Sequence, residues 1–212
     1  MSPVSLAVNP RIVAFTGSTR RPSKSRLLAK AIAERVAALL QVDIEFYDVV
    51  DAGPGLGAAF TRAELTPEAL KVIEAVEGAD AIIAITPVYK GAYTGLFKHL
   101  IDFLDQDALL NRPVVIGATG GGHRHALIVE HQLRPLFGFF SAHTIPTGIY
   151  AADSEFADGQ IIDRTVLSRI DLAAAQLVGA LTHRSQVAKA AHDAIAEQTR
   201  RSDGRLSLAA SA

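Results

Sequence analysis

Cysteine is absent from the 212 residues, and with it go disulfides, thiolate nucleophiles, Cys-ligated zinc and iron–sulfur clusters. Redox chemistry in such a chain must be borrowed from a small molecule. Excess charge of either sign is missing as well. Lys and Arg number 21 against 22 Asp and Glu, so no global basic field exists to hold nucleic acid or an anionic membrane. No stretch reaches the ~18 consecutive apolar residues of a membrane span, and Met1 to Pro10 has no basic cluster leading into an apolar signal core. The expectation is a cytoplasmic protein that handles small molecules.

What is present is ordinary globular composition, 49% hydrophobic and 20% charged, enough for one full core. Apolar runs of strand length alternate with segments of helical period, the pattern of βαβ units and a parallel sheet. The strands expected are Arg11 to Thr16, Val42 to Val49, Ala79 to Thr86, Pro113 to Ala118 and Thr144 to Tyr150. The helices expected are Ser25 to Leu40, Pro67 to Glu77 behind a Thr66 cap, Gly95 to Asp105, His125 to Phe140, and Ile162 to about His183. Residues 1–184 read as one domain. Residues 185–212 read as an Ala-rich extension, helix-prone to about Arg201 and unstructured from Ser202.

In an open parallel sheet, ligands bind beyond the carboxyl ends of the strands where strand order reverses. The loops after the first, third and fourth strands are therefore the places to look. The first, Gly17 to Ser25 (GSTRRPSKS), carries hydroxyls and three cations in front of a helix. Unpaired N–H groups, a partial positive charge and an arginine make that a phosphate site. It has neither G-x-G-x-x-G nor G-x-x-x-x-G-K-[ST], so a monophosphate suits it better than a dinucleotide or triphosphate. The bland alternative is a solvated loop that merely caps its helix.

The second loop, Thr86 to Gly95 (TPVYKGAYTG), combines a stiffening proline, a flat tyrosine and glycines that admit a planar ligand. Its alternative is a pair of tyrosines covering the sheet end. The third, Thr119-Gly120-Gly121-Gly122, leaves backbone N–H groups for a ring carbonyl or nitrogen, and alone it is weak.

Taken together, GSTRRPSKS, TPVYKGAYTGLFKHLIDFL and ATGGGHRHALIVEHQLRPLF resemble the NADPH-dependent FMN reductase family, and within it the reductases of bacterial alkanesulfonate and methanesulfonate utilisation. The resemblance covers about Arg11 to Asp158. It implies a flavodoxin-like three-layer α/β sandwich with a five-stranded parallel sheet in the order 2-1-3-4-5 and helices on both faces. It implies FMN with its phosphate at Ser18, Arg20, Ser23 and Ser25, and its ring at Pro87, Val88, Tyr89, Lys90, Thr119, Gly120, Gly121 and Gly122. NADPH or NADH would supply the hydride, and a flavin-dependent monooxygenase would receive the reduced flavin. Subunits would associate as dimers or tetramers through the third and fourth helices.

Individual residues have competing readings. His123, His125 and His131, even with His99 or His143, lack the carboxylate support and i, i+4 spacing of a metal site. Pro135 leaves the His131 carbonyl without its helical partner, so the fourth helix should kink or bulge there. The resemblance gives His131 an aromatic-like role beside the flavin at the subunit contact, and a histidine satisfied in an interface is the alternative. Asp102, Asp105 and Asp107 read as a solvated helix end, and Asp153, Glu155 and Asp158 as a solvated loop. Flavin and nicotinamide would carry the chemistry, so no catalytic side chain is named. A quinone or azo-dye reductase that retains FMN is the alternative within the same fold. A flavodoxin-type electron carrier is the alternative of another class, disfavoured by the near-neutral charge.

Overall fold

A computed structural model of the protein describes residues 8–209. Its elements follow the expected alternation. Strand β1 (Arg11–Thr16) leads to helix α1 (Lys24–Leu39), β2 (Asp43–Asp48), the short α2 (Gly53–Ala58) and α3 (Pro67–Glu77). Then come β3 (Ala81–Pro87), α4 (Gly95–Ile101), β4 (Pro113–Gly120), an irregular helical segment ending in α5 (Arg134–Phe139), β5 (His143–Thr144) and β6 (Ile149–Ala152). A hairpin of β7 (Phe156–Ala157) and β8 (Gln160–Ile161) precedes α6 (Arg164–Ala209).

The sheet is parallel in the order β2-β1-β3-β4-β5, with β6 also paired to β4. Strict alternation of buried side chains builds two cores on it. Val13 and Phe15 of β1 and Ile82 and Ala84 of β3 face α2 to α5, while Ile12 and Ala14, with Ala81, Ile83 and Ile85, face α1 and α6. A strand buried on both sides must be apolar throughout, and β3 is buried from Ala81 to Thr86. Because β1 sends its chain to β2 on one side and lies against β3 on the other, the strand order reverses between β1 and β3.

Departures from the expected elements have local causes. The fifth strand is two pieces because Pro146 cannot donate to the ladder. The Ile145 and Pro146 carbonyls are taken instead by the Arg134 guanidinium at 3.1 Å each. The fourth helix is not continuous: a short turn at His123–His125 is followed by a π-helical stretch, Val129–Leu133, in which the Arg134 N–H reaches back to the Val129 carbonyl. Pro135 sits just beyond it, as the loss of its N–H requires. The Gly- and Pro-rich segment after β2 forms the short α2, entered through Gly53 at φ 69°. Helix α6 buries Val166, Ile170, Ala173, Ala174, Leu177 and Leu181 against the core. It continues to Ala209, past the Ser202 at which an unstructured tail is expected; residues 210–212 lie outside those described.

Candidate functional site

Three loops meet where the strand order reverses, and each is fixed by contacts its sequence provides. In the first, Ser23 is the N-cap of α1, with extended backbone and a side chain that accepts from the Arg26 N–H at 3.2 Å. The Ser18 hydroxyl is buried and donates to the Arg20 carbonyl at 2.8 Å, closing the loop on itself. Gly17 is required: a Cβ there would lie 2.8 Å from Thr86 Oγ1, 2.9 Å from Phe97 Cβ and 2.9 Å from Thr94 Oγ1. Its N–H donates to Ile85 and its carbonyl accepts from Thr94 Oγ1, which ties the first loop to β3 and α4.

In the second loop, Tyr89 and Ala92 exchange backbone hydrogen bonds of 2.9 and 3.1 Å around Lys90 and Gly91, both in the left-handed region at φ 54° and 81°. That is a two-residue hairpin turn, and its first position ordinarily wants Gly, Asn or Asp rather than Lys. In the third, the Thr119 carbonyl accepts from Val88 N–H at 2.8 Å. Its hydroxyl meets the buried Ser25 hydroxyl at 2.7 Å, so the first and third loops touch directly. A Cβ on Gly120 would run into the Tyr150 hydroxyl at 2.5 Å, and that hydroxyl donates to the Gly122 carbonyl at 2.6 Å. Burial, helped by Asp153 and Glu155, holds the Tyr150 phenol above its ordinary pKa, so it stays a donor.

One cleft of about 500 Å³ results, within the usual range for small-molecule sites. Ser18, Arg20, Ser23, Ser25, Pro87, Val88, Tyr89, Thr119, Gly120 and Gly121 all line it. Three other residues named from the sequence do not. Lys90 occupies the tip of its turn, Gly122 is turned toward Tyr150, and His131 is exposed within the π-helical stretch, next to Gln132, whose side chain donates to the Gly91 carbonyl.

The electrostatics sort the loop's cations. Arg21 forms a two-pronged contact with Asp48 (2.7 and 2.9 Å) and reaches Asp51 at 2.6 Å; Arg26 also meets Asp48 at 3.0 Å. Asp48 is wholly buried at the end of β2. Hydrogen bonds to Asp48 and Asp51 push the Arg21 pKa up still further. Burial would raise Asp51, but hydrogen bonds from Arg21 and the Asp48 N–H prevail and hold its carboxyl below the usual carboxylate range. Lys24 pairs with Asp153 at 2.8 Å. Among the described residues, Arg20 is the loop cation with no acidic partner, and it is exposed at the cleft mouth.

Sequence reasoning missed four contributors. Asp48 and Asp51 sit at a strand end with no periodic signal, Asp153 lines the cleft rather than merely solvating its loop, and Tyr150 orders the third loop. The pairing of two carboxylates after β2 with the arginines after β1 was the available clue, since adjacent parallel strands deliver both loops to one sheet edge.

Fold and cleft together define a flavodoxin-like α/β protein with a ligand site at the carboxyl edge of its sheet. A family model described as NADPH-dependent FMN reductase matches residues 10–157. The chain is 44% identical over 164 residues to the NADH-dependent FMN reductase SfnF of Pseudomonas fluorescens (strain Pf0-1), covering 77% of this chain and 88% of that protein. It is 39% identical over 181 residues to an FMN reductase (NADPH) of Pseudomonas aeruginosa, covering 85% and 97% respectively. The crystal structure of an oxidoreductase from Corynebacterium diphtheriae superposes with a TM-score of 0.75 at 30% identity, over 82% of this chain and 98% of that one. The chain belongs to the NADPH-dependent FMN reductase family.

Proposed function

We propose that the protein is an NAD(P)H:FMN oxidoreductase that binds FMN as a substrate and releases it reduced. The observation that carries this reading is Arg20, the unpaired cation at the mouth of a hydroxyl-lined helix start. A phosphate there meets Arg20 together with Ser18, Ser23 and Ser25. The ring would then lie along Pro87 to Tyr89 and Thr119 to Gly121, where Gly121 leaves open space for close approach. Bound there, the flavin would accept hydride from the nicotinamide, and the chain's own task would be to stack, orient and exclude water.

Reduced flavin is consumed by a flavin-dependent monooxygenase of sulfonate utilisation, and the cytoplasm is where both live. Relatives named as FMN reductases of the Sfn type support the activity. The third and fourth helical regions are assigned to the contact between copies in a dimer or tetramer. Exposed Leu96 on α4 and Leu127 and Phe139 around α5 support that assignment. His131, exposed in the π-helical stretch, is assigned to the flavin's neighbourhood at this contact. The reductase domain is taken as residues 1–184, since α6 contributes its last named core residue at Leu181.

The test is NADH and NADPH oxidation by purified protein with and without added FMN. Oxidation that rises with FMN and saturates supports the reading. A yellow protein that reduces quinones or azo dyes without added FMN points to the alternative with retained flavin.

A further inference from the structure

Arg20, Arg21, Lys24 and Arg26 stand at the start of α1 or in the loop before it, and three of the four are matched by acids from elsewhere in the chain. Arg21 and Arg26 share the buried Asp48, and Arg21 also reaches Asp51 at 2.6 Å, so two guanidinium groups face two carboxylates and the cluster sums to zero. Lys24 meets Asp153 at 2.8 Å, a second neutral pair. Arg21, Lys24 and Asp153 all line the cleft, so both neutral groups border the space assigned to the flavin phosphate.

The three carboxylates differ in what else they hold. Asp48 is wholly buried and also accepts from the Val50 N–H at 2.9 Å, so it ties the end of β2 to the loop, and removing it would loosen both. The side chains of Asp51 and Asp153 are 31% and 57% exposed. An asparagine oxygen could still accept from the Asp48 N–H that Asp51 holds at 2.9 Å. Lys24 Nζ also donates to the Asp153 carbonyl at 3.3 Å, a contact independent of the carboxylate. What Asp51 and Asp153 add is therefore mainly charge. A phosphate of charge about −2 is repelled by each of them much as it is attracted by the cation each one cancels.

We propose that Asp51 and Asp153 set how loosely the flavin is held: by cancelling Arg21 and Lys24 they leave Arg20 and the α1 start as the net attraction for its phosphate, and so let the flavin leave. The proposal rests on the reading of this cleft as the FMN site. It assigns release to two acids that need not touch the flavin at all. Removing either charge leaves one net cation beside the phosphate, and the phosphate-bearing flavin should then bind more tightly. A merely structural role predicts the reverse, because loosening a loop weakens the ligand it holds.

The test is fluorescence titration with FMN and with riboflavin, and stopped-flow dissociation of FMN, in wild type, Asp51→Asn and Asp153→Asn. Both carboxylates are partly exposed and act through a high effective dielectric, so FMN should be held about three- to tenfold more tightly in each variant, mainly through slower dissociation, with riboflavin unchanged. The gain should shrink in about 1 M salt, where the screening length is about 3 Å. Unchanged or weaker FMN binding in either variant, riboflavin tightened as much as FMN, or a gain indifferent to salt would overturn the proposal. Wild type that binds FMN no more tightly than riboflavin would overturn the phosphate placement and the proposal with it, whereas wild type that prefers FMN beside variants that do not tighten sinks the proposal alone. If FMN tightens as expected but neither NADH nor NADPH is oxidised in its presence, the reductase reading fails and the role of the two acids stands.

Discussion

The two ends of the cleft are built by opposite means. At the end where the phosphate is proposed to sit, the structure is made by side chains: hydroxyls of Ser18, Ser23 and Ser25 at a helix start, a buried Asp48 that fixes Arg21 and Arg26, and Arg20, which has no acidic partner among the described residues. At the ring end, backbone does it: a two-residue turn at Lys90 and Gly91, and a glycine run held by Tyr150. Charge and hydroxyls recognise one chemical group, whereas exposed backbone and flat surfaces accept a ring without gripping it. On the proposed placement, such a site would identify FMN by its phosphate and let the ring come and go.

That contrast breaks most visibly at Arg20. Arg20→Ala should weaken FMN about ten- to a hundredfold, the range for a charge-assisted contact, and leave riboflavin nearly untouched. Equal loss for the two flavins, measured by fluorescence titration, would put the phosphate elsewhere. Gly17→Ala tests the join between the ends, because its Cβ would press on Thr86, Thr94 and Phe97. Overpacking of this type costs about 1 to 3 kcal/mol, to be read from denaturant unfolding. A variant as stable as wild type would show that the first loop has room to shift.

At the ring end, Tyr150→Phe removes the donor to Gly122 at a cost of about 0.5 to 1.5 kcal/mol. It should weaken FMN and riboflavin alike by up to about tenfold, and a loss confined to FMN would contradict the division of labour. His131→Ala should shift FMN affinity about two- to tenfold, as a stacking contact does, with a change in light-scattering mass. If titration, turnover and mass are all unaltered, His131 is an ordinary surface residue.

The smallest effect is in pH. The Asp51 carboxyl titrates below its unfolded value, so its stabilisation is complete above the ordinary carboxylate pKa of about 4 and is lost as pH falls through the depressed folded value. Melting temperature should therefore drop on acidification below about pH 4, and Asp51→Asn should flatten part of that drop. A variant with the wild-type acid profile would show that other carboxylates, such as Glu130 beside Arg134, carry it.

The sheet was readable because buried strands between amphipathic helices leave a periodic trace, and Ala79 to Thr86 could hardly be anything but a central strand. The bulge near His131 was readable from one missing N–H at Pro135. The split of the fifth strand was carried by Pro146 in the same way but depends on Arg134 arriving to take the orphaned carbonyls, a tertiary event. That the loop after β1 lines a cleft was legible in its cluster of Ser and Arg. That Arg21 is occupied was not, because Asp48 lies 27 residues from Arg21 in sequence and reaches it only through strand pairing. Tyr150 escaped for a similar reason: the 28 residues to Gly122 are spanned by a single hydrogen bond.

The measurement that bears most directly on a flavin that visits rather than stays is equilibrium titration of the purified protein with oxidised FMN and, anaerobically, with reduced FMN. A turnover of about 10 per second with association near 10⁶ to 10⁷ M⁻¹s⁻¹ requires a dissociation constant of about 1 μM or weaker. Micromolar affinity for both forms, from protein that purifies colourless, is the predicted result; nanomolar affinity for both, from protein that purifies yellow, would contradict it.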